Sequence, residues 1–293
     1  MIDLEMITNP TKYLADKGEL KRGYKLSDKK EFEAVRKTIV SCNLSPKNFD
    51  NNLATLIIKS ENAEKNSVAG TYNPTSNAIN YPKLYEDKIH ELFHMASNNM
   101  SVNKGITGIE QEGKVLKFGS SANEGITDYF TKLTVPDYKY KYPTEASFAS
   151  YLADMYGMKL FDYYFTADPE GFYEEFGPNK FLVRDFVGVL DEYHNKSLSF
   201  FQSFEPNSKT SMRLASELTD LFIKSCVQFA DLVAMNEGDV HKYLDDLRNT
   251  LSDHDNNISG FLNVAFIYSG FGDLDKVFKA IYEEVKRKEG FGL

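Results

Sequence analysis

The sequence predicts an α+β protein in which a mixed N-terminal lobe, residues 1–136, precedes a mainly helical C-terminal lobe, residues 137–293. Strand patterns are concentrated in the first part, where residues 53–58 form a short apolar run and residues 70–81 contain two short strand patterns around a turn. From Pro143 onward, apolar residues recur instead with the period of a helix. With 42% hydrophobic residues among 293, the chain can bury a real core.

The segments before residue 82 predict an arm, a helix, a strand and a hairpin, in that order. Residues 1–27 are polar and lysine-rich, which predicts an arm or short helix on the surface, and Ser27 and Asp28 can cap a helix running to about Cys42. Residues 53–58 have the length of a core strand. Residues 70–81 predict a hairpin whose second strand either binds an extended peptide along a free edge or is paired within the sheet.

The helix predicted after this hairpin carries the most specific pattern in the chain, His90-Glu91-Leu92-Phe93-His94. Histidines four residues apart project from one side of a helix, so both rings can reach one ion. Pro82 is placed in the first helical turn. An apolar face is predicted opposite the histidines, consisting of Tyr85, Ile89, Leu92, Phe93 and Ala96. The pattern predicts a metal centre with Glu91 beside it.

A third ligand is needed, because a catalytic zinc ion normally has three protein ligands. After a glycine-punctuated connector, residues 105–113, the next predicted helix places Glu124 and Asp128 on one side. Glu124 also fits a capping box with Ser121, in which it would close the start of this helix instead. In that case Glu110, Glu112 or Glu145 would have to complete the site.

The pair of motifs, His90-Glu91-x-x-His94 followed by Asn123-Glu124-x-x-x-Asp128, resembles the gluzincin peptidases, the thermolysin-like clan of zinc enzymes. The resemblance covers roughly residues 70–135, and the spacing of about 30 positions between His94 and Glu124 is longer than in thermolysin. It implies a zincin-like catalytic lobe with a small sheet and an active-site helix, and one Zn2+ per chain. Its implied ligands are His90, His94 and Glu124.

The resemblance also implies the chemistry of the site. Glu91 would act as the general base in peptide-bond hydrolysis, and Asp128 would accept a hydrogen bond from the far nitrogen of a ligand histidine, His90. In gluzincins a largely helical lobe forms the other wall of the cleft and supplies a group that stabilises the oxyanion. Two candidates for that group are Tyr142 and His194.

Six helical segments are predicted in the C-terminal lobe, with glycine, proline and asparagine between several of them. They are residues 144–165, 178–193, 210–234, 238–252, 258–269 and 273–288. Asp253-His254-Asp255 is predicted to be a solvated turn rather than a second metal cluster.

Composition and charge limit the possible partners and location. The net charge of −9 without a basic run does not indicate a nucleic-acid or membrane partner. The resemblance to gluzincins implies a peptide or protein substrate. Cys42 and Cys226 match no metal or redox spacing and are expected to be reduced thiols. With no export signal or membrane span visible, a cytoplasmic location is expected, and non-classical export by a dedicated secretion system is the alternative.

Two other functions are compatible with the same residues. One is a zinc-stabilised binding or regulatory protein that keeps the metal but hydrolyses nothing. The intact Glu91 argues against it, since a catalytic base is not needed to hold zinc. The other is a helical interaction module whose histidines bind no metal.

Overall fold

The computed structural model describes residues 28–59, 70–80, 85–99, 108–111, 114–117, 119–252 and 257–290. The predicted arm, Pro82, part of the glycine-punctuated connector, and Asp253-His254-Asp255 lie outside these ranges. The described chain is mainly helical and contains a three-stranded sheet and a two-stranded one, which agrees with the α+β class.

The helices and strands are numbered here in chain order. The N-terminal elements are α1 Asp28–Ser41, α2 Lys47–Leu53, β1 Ile57–Lys59, β2 Thr71–Asn73, β3 Ala78–Asn80, α3 Tyr85–Ala96, β4 Gly108–Gln111, β5 Lys114–Lys117 and α4 Ser120–Thr134. The later elements are α5 Pro143–Tyr156, α6 Asp162–Thr166, α7 Pro169–Glu174, α8 Lys180–Ser203, α9 Lys209–Met235, α10 Val240–Leu251, α11 Asn257–Tyr268 and α12 Leu274–Gly290. Short 3-10 turns occupy Met158–Phe161 and Gly177–Asn179.

The chain forms two compact units that are interleaved in sequence. The first unit contains the described residues up to 117 together with 127–138 and 156–172. The second contains the described residues between 118 and 126, then 139–155 and 173 onward. Helix α4 therefore contributes its first half to one unit and its second half to the other. A single boundary after residue 136 stays a prediction.

The three-stranded sheet of the first unit has β3 at its centre. Strand β1 pairs with β3 in parallel, with Ile58 opposite Ile79, and β2 pairs with β3 antiparallel, with Tyr72 also opposite Ile79. The predicted hairpin is thus confirmed. The interpretation of its second strand as a free edge for an extended peptide is wrong, because both edges of β3 are already hydrogen-bonded.

The apolar run at residues 53–58 is strand only at its end. Leu53 is the last residue of α2, and β1 begins at Ile57. A short buried apolar run has no periodicity that separates the end of a helix from a strand, which explains the partial error. Helix α2 also holds the end of α3, because the Asn52 amide donates to the carbonyl oxygens of Met95 and Asn98 at 2.7 and 2.6 Å.

Helix α3 is buried on nearly all sides. Ile89 and Phe93 are fully buried, and the ring of Phe93 lies 5.7 Å from that of Phe130 on α4. His90 and Glu91 are only 2% and 4% exposed, so the polar side of this helix is enclosed as well. Tyr85, predicted for the apolar face, is 43% exposed because it is the first residue of the helix.

The second unit is helical, with a core that includes a cluster of rings from α5, α8, α9 and α10. These rings are Phe148, Phe186, Phe229 and Tyr243. The predicted helix 144–165 is interrupted after Tyr156, because Gly157 adopts a φ of 76° that ends the helical path. Helix α8 continues to Ser203, ten residues beyond its predicted end, so His194 lies inside a helix rather than at its end. Among the helices described, none is long and apolar enough to span a membrane.

Candidate metal centre

The two histidines of α3 bring their Nε2 atoms together. His90 and His94 are one helical turn apart, and their Nε2 atoms are separated by 3.1 Å. Zinc binds each imidazole nitrogen at about 2.0–2.1 Å, which puts two such nitrogens roughly 3.3 Å apart at a tetrahedral angle. The observed separation therefore suits a pair of ligands to one ion.

Asp128 on α4 lies against the other side of the His90 ring. Its Oδ1 atom is 3.0 Å from His90 Nδ1, and both side chains are almost fully buried. The Tyr138 hydroxyl donates a hydrogen bond of 2.5 Å to the same oxygen. Asp128 is thus held from one side by Tyr138 while it faces His90, the position in which a carboxylate fixes the orientation of a ligand ring.

Thr127, the neighbour of Asp128, makes the equivalent contact with the second histidine. Its Oγ1 atom lies 3.2 Å from His94 Nδ1 and 2.6 Å from the Tyr164 hydroxyl, which in turn donates to the carbonyl oxygen of Phe93. Because that carbonyl oxygen can only accept, the direction of the whole chain of hydrogen bonds is fixed. His94 Nδ1–H donates to Thr127 Oγ1, and the Thr127 hydroxyl donates to that of Tyr164. This direction leaves the lone pair on His94 Nε2, where a metal ion needs it.

Glu124 completes a group of three possible ligands. One oxygen of Glu124 and one ring nitrogen from each of His90 and His94 all lie within 4.8 Å of one another. Glu124 is one turn before Asp128 on α4, so the helix fixes their spacing. Two imidazole nitrogens and a carboxylate oxygen form a donor set that suits divalent transition metals. The residues therefore fit a metal ion.

The start of α4 is capped by a residue that the sequence analysis did not consider. Asp191 on α8 accepts hydrogen bonds from the Gly119 N–H at 2.6 Å, the Ser121 N–H at 2.9 Å and the Ser121 hydroxyl at 2.6 Å. The Ser121 N–H that a capping box assigns to Glu124 is therefore donated to Asp191.

Three other glutamates were possible third ligands, and the structure describes the side chain of only one of them. The Glu145 carboxylate is 4% exposed and lies 2.8 Å from His194 Nδ1, so it already has a partner. Glu112 lies outside the described residues, and of Glu110 only the backbone is described. Glu124 stays the predicted third ligand.

The two candidates for stabilising an oxyanion lie side by side in the second unit. The rings of Tyr142 and His194 are 5.2 Å apart. Burial by itself lowers the pKa of His194, but the hydrogen bond to Glu145 and the charges of Glu145, Glu124 and Asp191 outweigh it and raise the pKa. The Glu145 carboxylate, which faces Nδ1, therefore stabilises the protonated form of the His194 ring relative to a free imidazole.

Glu91 is the remaining predicted residue of the site. It directly follows His90 on α3, and its side chain is buried. Within the described ranges its carboxylate makes no hydrogen bond or ion pair. A carboxylate that no neighbouring side chain engages can exchange a proton with a water molecule, which is the step that a general base performs.

Comparison with protein-family models, with curated proteins and with solved structures gives no match for this chain.

Several residues around the ligands escaped the sequence analysis. Thr127 could have been noticed, because it adjoins Asp128 on a predicted helix. No sequence pattern links the other three residues to the motifs, since each is brought to the site by the folding of a separate segment. They are Tyr138, Tyr164 and Asp191. Their identification depends on the structure.

The contact between Asp128 and His90 leads to a test of metal affinity. We expect Asp128→Asn to weaken zinc binding about 10- to 100-fold, because the neutral amide orients the His90 ring less strongly than a carboxylate. Competition with a chromophoric chelator measures the affinity. Asp137→Asn removes the same charge at an exposed position of the same segment and serves as the control. Equal affinity of the Asp128 variant and the control would exclude this role for Asp128.

Proposed function

We propose that the chain is a zinc-dependent metallopeptidase of gluzincin type. One zinc ion per chain is held by His90, His94 and Glu124, in a zincin-like catalytic lobe with α3 as the active-site helix. The observation that carries the proposal is the group formed by these three side chains, whose ligand atoms lie within 4.8 Å of one another.

Glu91 performs the proton transfers. When bound, zinc supplies a Lewis acid that polarises the peptide carbonyl and lowers the pKa of water. Glu91 accepts a proton from the attacking water on its carboxylate and then delivers it to the nitrogen of the leaving amine. Its buried position on α3, directly after His90, supports this role.

His194 stabilises the negative charge that develops on the carbonyl oxygen. The Glu145 carboxylate, 2.8 Å from Nδ1, orients the ring and favours its charged form. The other ring nitrogen, Nε2, then carries the N–H that donates to the oxyanion. Tyr142, whose ring contacts that of His194, is the second candidate for this role. His194 is the first choice because the Glu145 carboxylate orients its ring.

Removal of the metal provides the first test of the function. We expect about one zinc per chain in purified wild-type protein by elemental analysis, and cleavage of a peptide library by that protein. A chelator should abolish cleavage, and added zinc should restore it. The absence of bound metal after zinc is supplied would contradict the proposal. Zinc without any cleavage in the library would favour the non-catalytic binding protein.

A further inference from the structure

The start of helix α4 is held by a carboxylate from a different helix. Asp191 accepts the Gly119 N–H with one oxygen, and the Ser121 N–H and hydroxyl with the other. The first N–H groups of a helix have no partner within the helix, so a side chain normally satisfies them. In α4 this side chain comes from α8, about 70 positions later in the sequence.

The local backbone is adapted to this external cap. Gly119 has a φ of 88°, in the region that glycine adopts far more readily than other residues, and its N–H donates to Asp191. Six residues later, Gly125 packs against α5 so closely that a Cβ atom there would collide with the backbone carbonyl of Glu145. The first turns of α4 are thus fixed by α8 at their start and by α5 along one side.

Glu124 lies between these two fixed points. A residue of the first helical turn often caps its own helix, as the pattern Ser121-x-x-Glu124 suggested. Because Asp191 takes the Ser121 N–H, the cap does not require the Glu124 carboxylate. The carboxylate can then be used as a ligand without loss of the cap.

From this arrangement we propose that Asp191 is a positioning residue for the metal ligand Glu124. It acts through the backbone of α4, by fixing the start of the helix from which Glu124 projects. The inference rests on the proposed metal site, because the role of Asp191 is to place one ligand of that site. It does not require that the protein hydrolyse peptides.

The test measures zinc affinity, by chelator competition at a temperature well below unfolding, in a series of variants. We expect Asp191→Ala to weaken zinc binding by about tenfold or more, the effect typical of losing a group that orients a metal ligand. Asp191→Asn and Ser121→Ala each keep part of the hydrogen-bonding group and should show smaller losses. These milder variants also keep the test usable if Asp191→Ala does not fold.

The control is the cap of another helix, α10. Asp239 caps α10 by accepting the Lys242 N–H at 2.9 Å, a bond of the same kind as the one from Ser121. Asp239→Ala should lower the unfolding temperature in the manner of any lost cap and leave zinc affinity unchanged. If Asp191 had a purely structural role, Asp191→Ala would likewise lower the unfolding temperature and leave zinc affinity unchanged.

A double-mutant cycle identifies the route of the effect. If Asp191 acts through Glu124, Asp191→Ala should cause no further loss of zinc affinity in a Glu124→Ala background. Wild-type affinity in all three variants of the capping group, or an equal loss with and without Glu124, would overturn the inference and leave the metal site standing. Wild-type protein that binds no zinc would overturn the proposed function and this inference together.

Discussion

Replacement of Glu91 by glutamine is expected to abolish peptide hydrolysis and to leave the zinc content unchanged. Glutamine has nearly the shape of glutamate but cannot accept the proton from water, and loss of a general base typically costs about 10²- to 10⁴-fold in rate. His90 and His94, the proposed ligands on the same helix, keep their side chains in this variant. Cleavage of a substrate selected from the peptide library, together with elemental analysis, measures both quantities.

A matched substitution on α3 controls for the loss of one negative charge. Glu86→Gln makes the same chemical change one turn before the motif, at a position that is not buried, and should retain cleavage and zinc. Full peptidase activity in Glu91→Gln would disprove the mechanism. Loss of zinc together with activity would instead show that Glu91 supports the metal site and would leave its role as a base unproved.

The second large effect is expected from Glu124→Ala, which should remove most of the bound zinc. Two imidazoles bind zinc much more weakly than two imidazoles and a carboxylate, and the loss of one ligand should cost about two to three orders of magnitude in affinity. Metal content after gel filtration without chelator provides the measurement. His94→Ala, which removes an imidazole ligand, should have an effect of similar size.

Glu192→Ala removes a carboxylate of the same size from an exposed position of α8, and should retain zinc. Zinc retained by Glu124→Ala would show that Glu124 is not a ligand. The search for the third ligand would then return to Glu110 and Glu112, since Glu145 is engaged with His194.

The helices of the candidate site could be predicted because their sequences carry periodic signals. Helix α4 forms around Glu124 and Asp128 as predicted, and in α3 Ile89 and Phe93 are buried as expected. The short apolar run before β1 lacks such a period, and its first residue belongs to a helix instead. At these places a helical period marks the segments that were predicted correctly, and its absence marks the one that was not.

The hydrogen-bond partners around the ligands could not be predicted in the same way. Each depends on which distant segments the folded chain brings together, and the sequence contains 18 tyrosines that could serve equally well as donors. Tyr138 and Tyr164 differ from the others only in their final location. The same holds for Asp191, whose neighbours in sequence carry no sign that it contacts a helix start.

The adjacent positions of Thr127 and Asp128 have a consequence for the tolerance of the chain to insertions. Thr127 contacts the ring of His94 and Asp128 that of His90, so consecutive residues of α4 match histidines one turn apart on α3. One residue inserted just before Thr127 would rotate both by about 100° relative to the first turn of α4, which carries Glu124. The segment from Glu124 to Asp128 should therefore keep a constant length in any functional variant.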